Sequence, residues 1–225
     1  GGELDNTILK DQLNLMRVGE PMYVFYGYVE DGYDENGHIV YKNMDDDPAI
    51  TAADKTIIGD PNPDFLVNLT TAVSYKGFTL SAFFQSSIGN DIYSLSMAAQ
   101  AYDYGYNGNT LREVYYNHWS PENPTAKYPN LDQTSYKMSD RFVYDGSFVR
   151  LKNLELAYDV PCARSKFIKR ARVYVSAQNL FTITSYPFWD PDINANGGGS
   201  SMIQGVDSYC YPSARTYTIG CRLTF

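Results

Sequence analysis

Residues Asn43 to Asp54 read Asn-Met-Asp-Asp-Asp-Pro-Ala-Ile-Thr-Ala-Ala-Asp, which places oxygen side chains at loop positions 1, 3, 5, 9 and 12. Asn43, Asp45, Asp47, Thr51 and Asp54 would supply them, with the backbone carbonyl of Ala49 between. A hard cation such as Ca²⁺ takes about six to eight oxygens, and this is the spacing of a calcium-binding loop. Two details differ from that pattern: Pro48 stands where the sharp turn wants glycine, and Asp54 is shorter than the usual bidentate glutamate. A solvated acidic turn has the same composition. Spacing alone leaves both readings open.

A second set of residues suits recognition. One long loop carries Tyr102, Tyr104, Tyr106, Tyr115, Tyr116 and Trp119; another carries Phe188, Trp189, Asp190 and Asp192. Flat aromatic faces beside carboxylates can stack on a sugar or contact a peptide. Tyr102, Tyr104, Tyr106, Trp119, Trp189 and Asp190 are the candidate substrate contacts. Aromatic side chains serve packing equally well, so each also has a structural reading. Enzyme chemistry has little to build on. His38 and His118 lie in unrelated loops, and no GxSxG, HExxH or glycine-rich phosphate loop occurs. No catalytic residue is expected and no cofactor is required.

Composition narrows the partners. The 18 Lys and Arg face 26 Asp and Glu, for a formal net charge of -8, and no basic run is available to neutralise phosphates. Nucleic acid is therefore excluded as a partner. No stretch of about 18 apolar residues exists to form a transmembrane helix. Membrane β-barrels escape that test, because their strands alternate apolar with polar residues and average to a hydrophilic score. The 21 tyrosines suit strands and membrane–water boundaries. Cys162, Cys210 and Cys221 lack metal-ligand spacing. An extended chain would hold Cys210 and Cys221 ~30 Å apart, beyond disulfide reach.

The elements that must position these residues are strands. At the end of the sequence Phe225, Leu223, Cys221, Ile219 and Tyr217 alternate with Thr224, Arg222, Gly220, Thr218 and Thr216. That length matches the ~9–11 residues of a tilted membrane-spanning strand. Val67, Leu69, Thr71, Val73 and Tyr75 form another apolar set, and Leu80, Ala82 and Phe84 a third, across a tight turn at Lys76-Gly77-Phe78. Leu154, Leu156, Tyr158 and Val160 make the fourth, and Val173, Val175 and Ala177 the fifth. Arg150, Lys152 and Asn179 fall in phase with apolar residues. The Arg150 strand must therefore protrude above the bilayer or contain a bulge.

Connections alternate in length. Those at 76–78 and 161–170 are short; those near 87–145 and 184–213 are long and rich in Gly, Asn, Tyr and Pro. Outer-membrane barrels pair short periplasmic turns with long extracellular loops. The expected organisation is an extracellular loop region with the end of a preceding strand over 1–63, then five transmembrane strands with their loops over 64–225. The fold class is all-β, a segment of an antiparallel up-and-down transmembrane barrel with a periplasmic C-terminus. The competing reading is a secreted, soluble β-rich glycan-binding module. It would need a second sheet over the apolar faces, and the sequence offers no further set of such strands.

Val18-Gly19-Glu20-Pro21, Phe25-Tyr26-Gly27-Tyr28, Ile58-Gly59-Asp60-Pro61-Asn62-Pro63 and Gly89-Asn90-Asp91-Ile92-Tyr93 follow in order along the chain. After them come Trp119-Ser120-Pro121-Glu122-Asn123-Pro124, Asp145-Gly146-Ser147-Phe148-Val149-Arg150-Leu151-Lys152-Asn153, Gln178-Asn179-Leu180-Phe181-Thr182 and Leu223-Thr224-Phe225. This ordered series resembles the C-terminal portion of SusC/RagA-type TonB-dependent outer-membrane transporters. The resemblance implies a barrel of about 22 strands around an N-terminal plug domain. It also implies import energised through the TonB complex and a SusD-like lipoprotein that captures glycan or peptide outside. The plug and the TonB-contacting segment are expected on polypeptide beyond this sequence, as is the remainder of the barrel.

Overall fold

The computed structural model describes residues 13–102, 109–133, 135–162, 167–193 and 204–225, apart from the Tyr102 side chain. The chain divides into two compact units, one of them assembled from 63–89, 146–192 and 211–225. This unit is a sheet of five strands: β1 (Phe65–Tyr75), β2 (Phe78–Ile88), β3 (Phe148–Val160), β4 (Arg170–Thr184) and β5 (Thr216–Thr224). Every strand pairs antiparallel with its neighbour in sequence, giving the order β5-β4-β3-β2-β1. Lys76 and Gly77 close the first hairpin, with φ of 47° and 87°. A two-residue turn with both central φ positive matches the right-handed twist of the strands it joins, and glycine enters it without steric penalty.

Register turns the sequence alternation into two continuous faces. Val73, Leu80, Leu156, Val175 and Ile219 stand in one row across all five strands, with Thr71, Ala82, Leu154, Ala177 and Tyr217 in the next. The opposite face carries Ala72, Ser81, Glu155, Ser176 and Thr218 in one row and Ser74, Thr79, Ala157, Tyr174 and Gly220 in another. Arg172 meets Asp159 at 3.2 Å and Glu155 at 3.7 Å on that polar face. The apolar face is bare: Ile219 is 84% exposed and Val73 65%. A contiguous apolar surface of this kind marks contact with lipid or protein. Near the Lys76-Gly77 turn it ends in aromatic rings, with Phe78 and Tyr158 at a centroid distance of 4.5 Å. The aromatic girdles of membrane barrels sit at such a level.

The residues that break the alternation sit at bulges. In β3, Leu151 pairs with Phe84 and Asn153 with Phe83, so Lys152 is an extra residue. On the other side Leu151 pairs with Phe181 and Asn153 with Gln178, leaving Asn179 and Leu180 opposite Lys152. The shift returns Arg150 to the polar face, in a row with Asn68, Gln85 and Thr182. Asn179 takes φ 51°, a left-handed conformation that asparagine tolerates and a β-branched residue does not. Its Nδ2 donates to the Ala214 carbonyl at 2.9 Å. Replacement by Gly and by Val removes the same side-chain bond. The Val variant is expected to be less stable than the Gly variant by about 1–2 kcal/mol in urea unfolding of the full-length protein.

The second unit, from 1–62, 90–145 and 193–210, has its own core. Asn14–Leu15, Val24–Gly27 and Thr56–Gly59 form one small sheet. Asp91–Ser94 is central in another, between Val143–Asp145 and a parallel partner at Val206–Asp207. Helices span Leu95–Tyr102 and Arg112–Tyr116. Tyr93 meets Phe25 at 5.9 Å and Phe142 at 6.2 Å, edge to face, in a centre that also buries Leu15, Ile92 and Val206. The long connections near 87–145 and 184–213 thus contain strands and helices of their own. Their core is built by residues far apart in sequence, which local patterning does not reveal.

Candidate functional site

Arg150 is the centre of the best-formed polar site in the sheet unit. Only 2% of its surface is exposed. Its Nε donates to Thr182 Oγ1 at 2.8 Å, Nη1 to Ser213 Oγ at 3.2 Å and Asp192 Oδ2 at 3.4 Å, and Nη2 to Asp190 Oδ1. Asp190 also accepts from the backbone N–H of Asp192 at 2.9 Å and of Ser213 at 2.8 Å. Burial pushes the Asp190 carboxyl up, but the Ser213 and Asp192 N–H groups and the Arg150 guanidinium outweigh it and hold the group below the ordinary carboxylate range. A buried charge must be paired and hydrogen-bonded; here one carboxylate ties the segments after β4 and before β5 to an arginine on β3.

Beside this network lies a cavity of about 400 Å³, lined by Arg150, Asn179, Trp189, Asp190 and Arg215 among others. Of the nominated contacts, Trp189 and Asp190 meet here. Trp189 is exposed, whereas both oxygens of Asp190 are engaged within the fold.

The other nominated residues lie elsewhere. Trp119 belongs to the second unit, where it packs its ring on Gly37 and its backbone N–H donates to the Tyr128 carbonyl at 2.8 Å. Tyr102 ends the Leu95–Tyr102 helix. Its side chain, together with Tyr104 and Tyr106, falls outside the described residues.

Asn43–Asp54 is ordered by its own backbone. Asn43 Oδ1 accepts from Asp45 N, Asp45 Oδ1 from Asp47 N and Asp47 Oδ1 from Ala49 N, at 3.1, 2.9 and 3.0 Å. Asp54 is buried and accepts from Met44 N and Thr51 N, both at 2.7 Å, one on each carboxylate oxygen. Thr51 and Asp54 thereby form a capping box around the turn at Ala52–Asp54. The residue nominated as the last calcium ligand is occupied as a backbone cap. Among the described residues no group of three or more His, Cys, Asp or Glu side chains could hold a metal ion. This bonding is what a solvated acidic turn requires.

The bonds from Met44 N and Thr51 N hold the Asp54 carboxyl below its ordinary value of 3.8. Its stabilisation is present above that value and is lost as pH falls through the lower folded one. Amide exchange at Met44 and Thr51, corrected for intrinsic rate, should therefore speed up on acidification and stay unchanged on calcium chelation. Exchange that rises on chelation at neutral pH would restore the calcium reading.

TonB-dependent receptor P3 of Formosa agariphila is 33% identical over 238 residues, covering 96% of this chain and 23% of that receptor. TonB-dependent receptor SusC of Bacteroides thetaiotaomicron is 30% identical over 215 residues, covering 93% of this chain and 20% of its own length. The RagAB peptide transporter superposes with a TM-score of 0.80 at 25% identity, over 96% of this chain and 24% of its own. In sequence and fold, the chain belongs to the SusC/RagA-type TonB-dependent receptors. It spans about a quarter or less of the length of these relatives, and its five strands are a partial barrel of that family. No protein-family model matches it.

The site residue that composition did not nominate is Arg150. Its signal was present as an error of phase: a charge in line with Leu154 and Leu156 has to be explained by a bulge, and a bulge re-aims a side chain.

Proposed function

We propose that this chain is the C-terminal barrel part of an outer-membrane, TonB-dependent importer of oligosaccharides or oligopeptides, working with a SusD-like surface lipoprotein. The observation that carries the reading is the two-faced sheet. One face carries apolar rows and the other polar rows with Glu155 and Arg172. In this reading the apolar rows meet lipid, the polar rows line the lumen, and the short Lys76-Gly77 turn and the C-terminus face the periplasm. The likeness to SusC and to a peptide importer supports transport as the activity. Plug, TonB contact and the other strands come from the rest of the receptor, and an open sheet needs them, since unpaired backbone in hydrocarbon costs several kcal/mol per group.

Two measurements test this. Cells expressing the full-length receptor should accumulate labelled oligosaccharide or oligopeptide only with TonB intact, and the lipoprotein should co-purify. Residues 1–225 expressed alone should aggregate. A soluble, cooperatively melting monomer without detergent would overturn the barrel reading and favour the glycan-binding module.

A further inference from the structure

The cavity beside Arg150 contains one cationic side chain that the fold does not use, and we propose that it binds a carboxylate-bearing ligand, paired with Arg215 and stacked on Trp189. The proposal rests on the import reading and names the ligand chemistry of one subsite within it.

Charge decides the ligand class. Two arginines and one carboxylate line the cavity. Every nitrogen of the Arg150 guanidinium is engaged, Arg150 and Asp190 neutralise each other, and Asp192, which also reaches Arg150, is matched by Lys152 at 3.7 Å. The exposed guanidinium of Arg215 makes no ion pair or hydrogen bond among the described residues. It leaves the cavity with an uncompensated positive charge, in a chain whose formal net charge is -8. A planar guanidinium holds a carboxylate through two parallel hydrogen bonds, and a neutral ligand gains neither.

Shape specifies more. Trp189 is 69% exposed, an aromatic face on which a ring or a planar peptide group can stack. A peptide C-terminus and a uronic acid share the chemistry that Arg215 and Trp189 select: a carboxylate with a flat face beside it.

Equilibrium binding to the purified full-length receptor, using two matched pairs, provides the test. One pair is an oligopeptide with a free C-terminal carboxylate and its amide; the other is a hexuronate oligosaccharide and its methyl ester. In at least one pair the carboxylate form should bind about tenfold more tightly, and the preference should shrink as salt is raised. Arg215→Gln should reduce the preference to about twofold or less, with Arg215→Lys retaining part of it. Trp189→Ala should weaken both members of a pair alike. A preference in the peptide pair alone assigns a peptide terminus; in the uronate pair alone, an acidic glycan. No preference in either pair, or one that survives Arg215→Gln in folded receptor, overturns the proposal. Should Arg215→Gln not fold, the wild-type preference and its salt dependence still decide. Binding is read without energised uptake, so a receptor that binds as expected but imports nothing refutes the import reading separately.

Discussion

Asp190→Ala is expected to destabilise the folded receptor by about 3–5 kcal/mol, because it leaves the buried Arg150 guanidinium without its buried carboxylate and with only the longer, 3.4 Å contact to the exposed Asp192. Arg150 is 2% exposed and Asp190 6%, so neither charge can turn to water without opening the sheet end. The cost arises from the unpaired charge, and removing both partners should be far milder. The double variant Arg150→Met with Asp190→Leu is expected to recover most of the loss, since apolar groups of similar volume replace buried ion pairs at little net penalty. Urea unfolding midpoints of the wild type, Arg150→Met, Asp190→Leu and the double variant complete the cycle. A single-variant effect below about 1 kcal/mol would mean that water reaches the pair, and would assign it no structural role. Acid has the same target: the Asp190 contribution is present above the ordinary carboxyl value of 3.8 and is lost as pH falls through its lower folded value.

Charge placed on the two faces of β5 should have unequal effects. Ile219→Arg puts a guanidinium on the apolar face, where the bilayer midplane exacts about 2–4 kcal/mol. Thr218→Arg, one residue away, faces the polar row with Ser176 and Glu155 and can stay hydrated. Leu223→Arg, nearer the end of the strand, should fall between them, since the penalty shrinks toward the interface. Heat-modifiable gel mobility of the full-length protein reports the folded fraction. Equal folding of the Ile219 and Thr218 variants would reject the assignment of faces.

The five strands were legible because each carries its own evidence: an alternation of period two needs no knowledge of the rest of the chain. The turn at Lys76-Gly77 was legible for the same reason. The phase errors at Arg150, Lys152 and Asn179 pointed to an irregularity without saying what it was for. Its purpose emerges only when Asp190 and Ser213, brought in from beyond β4 and before β5, are seen to converge on Arg150. The second unit was hidden for a stronger reason. Its core joins Phe25, Tyr93, Phe142 and Val206, none of which lies in a long periodic run. Asp190 shows the limit of composition as a guide. A carboxylate beside a tryptophan in a loop suggested a ligand contact, and its hydrogen bonds make it a fastening of the loop.

The strictly sequential order of the sheet also has a kinetic consequence. The β1–β2 and β3–β4 pairs close across short connections at small loop entropy, on timescales of about 1–10 μs for the tightest. The β2–β3 and β4–β5 pairs must instead close across the long connections near 87–145 and 184–213. The second unit pairs Val206 with Tyr93 and packs Phe25 against Tyr93, drawing together segments that β1 to β4 separate along the chain. Contacts of such long sequence separation form late. The two short pairs would thus take their register first, and the joining of β2 to β3 and of β4 to β5 would come as late as the condensation of the non-local unit.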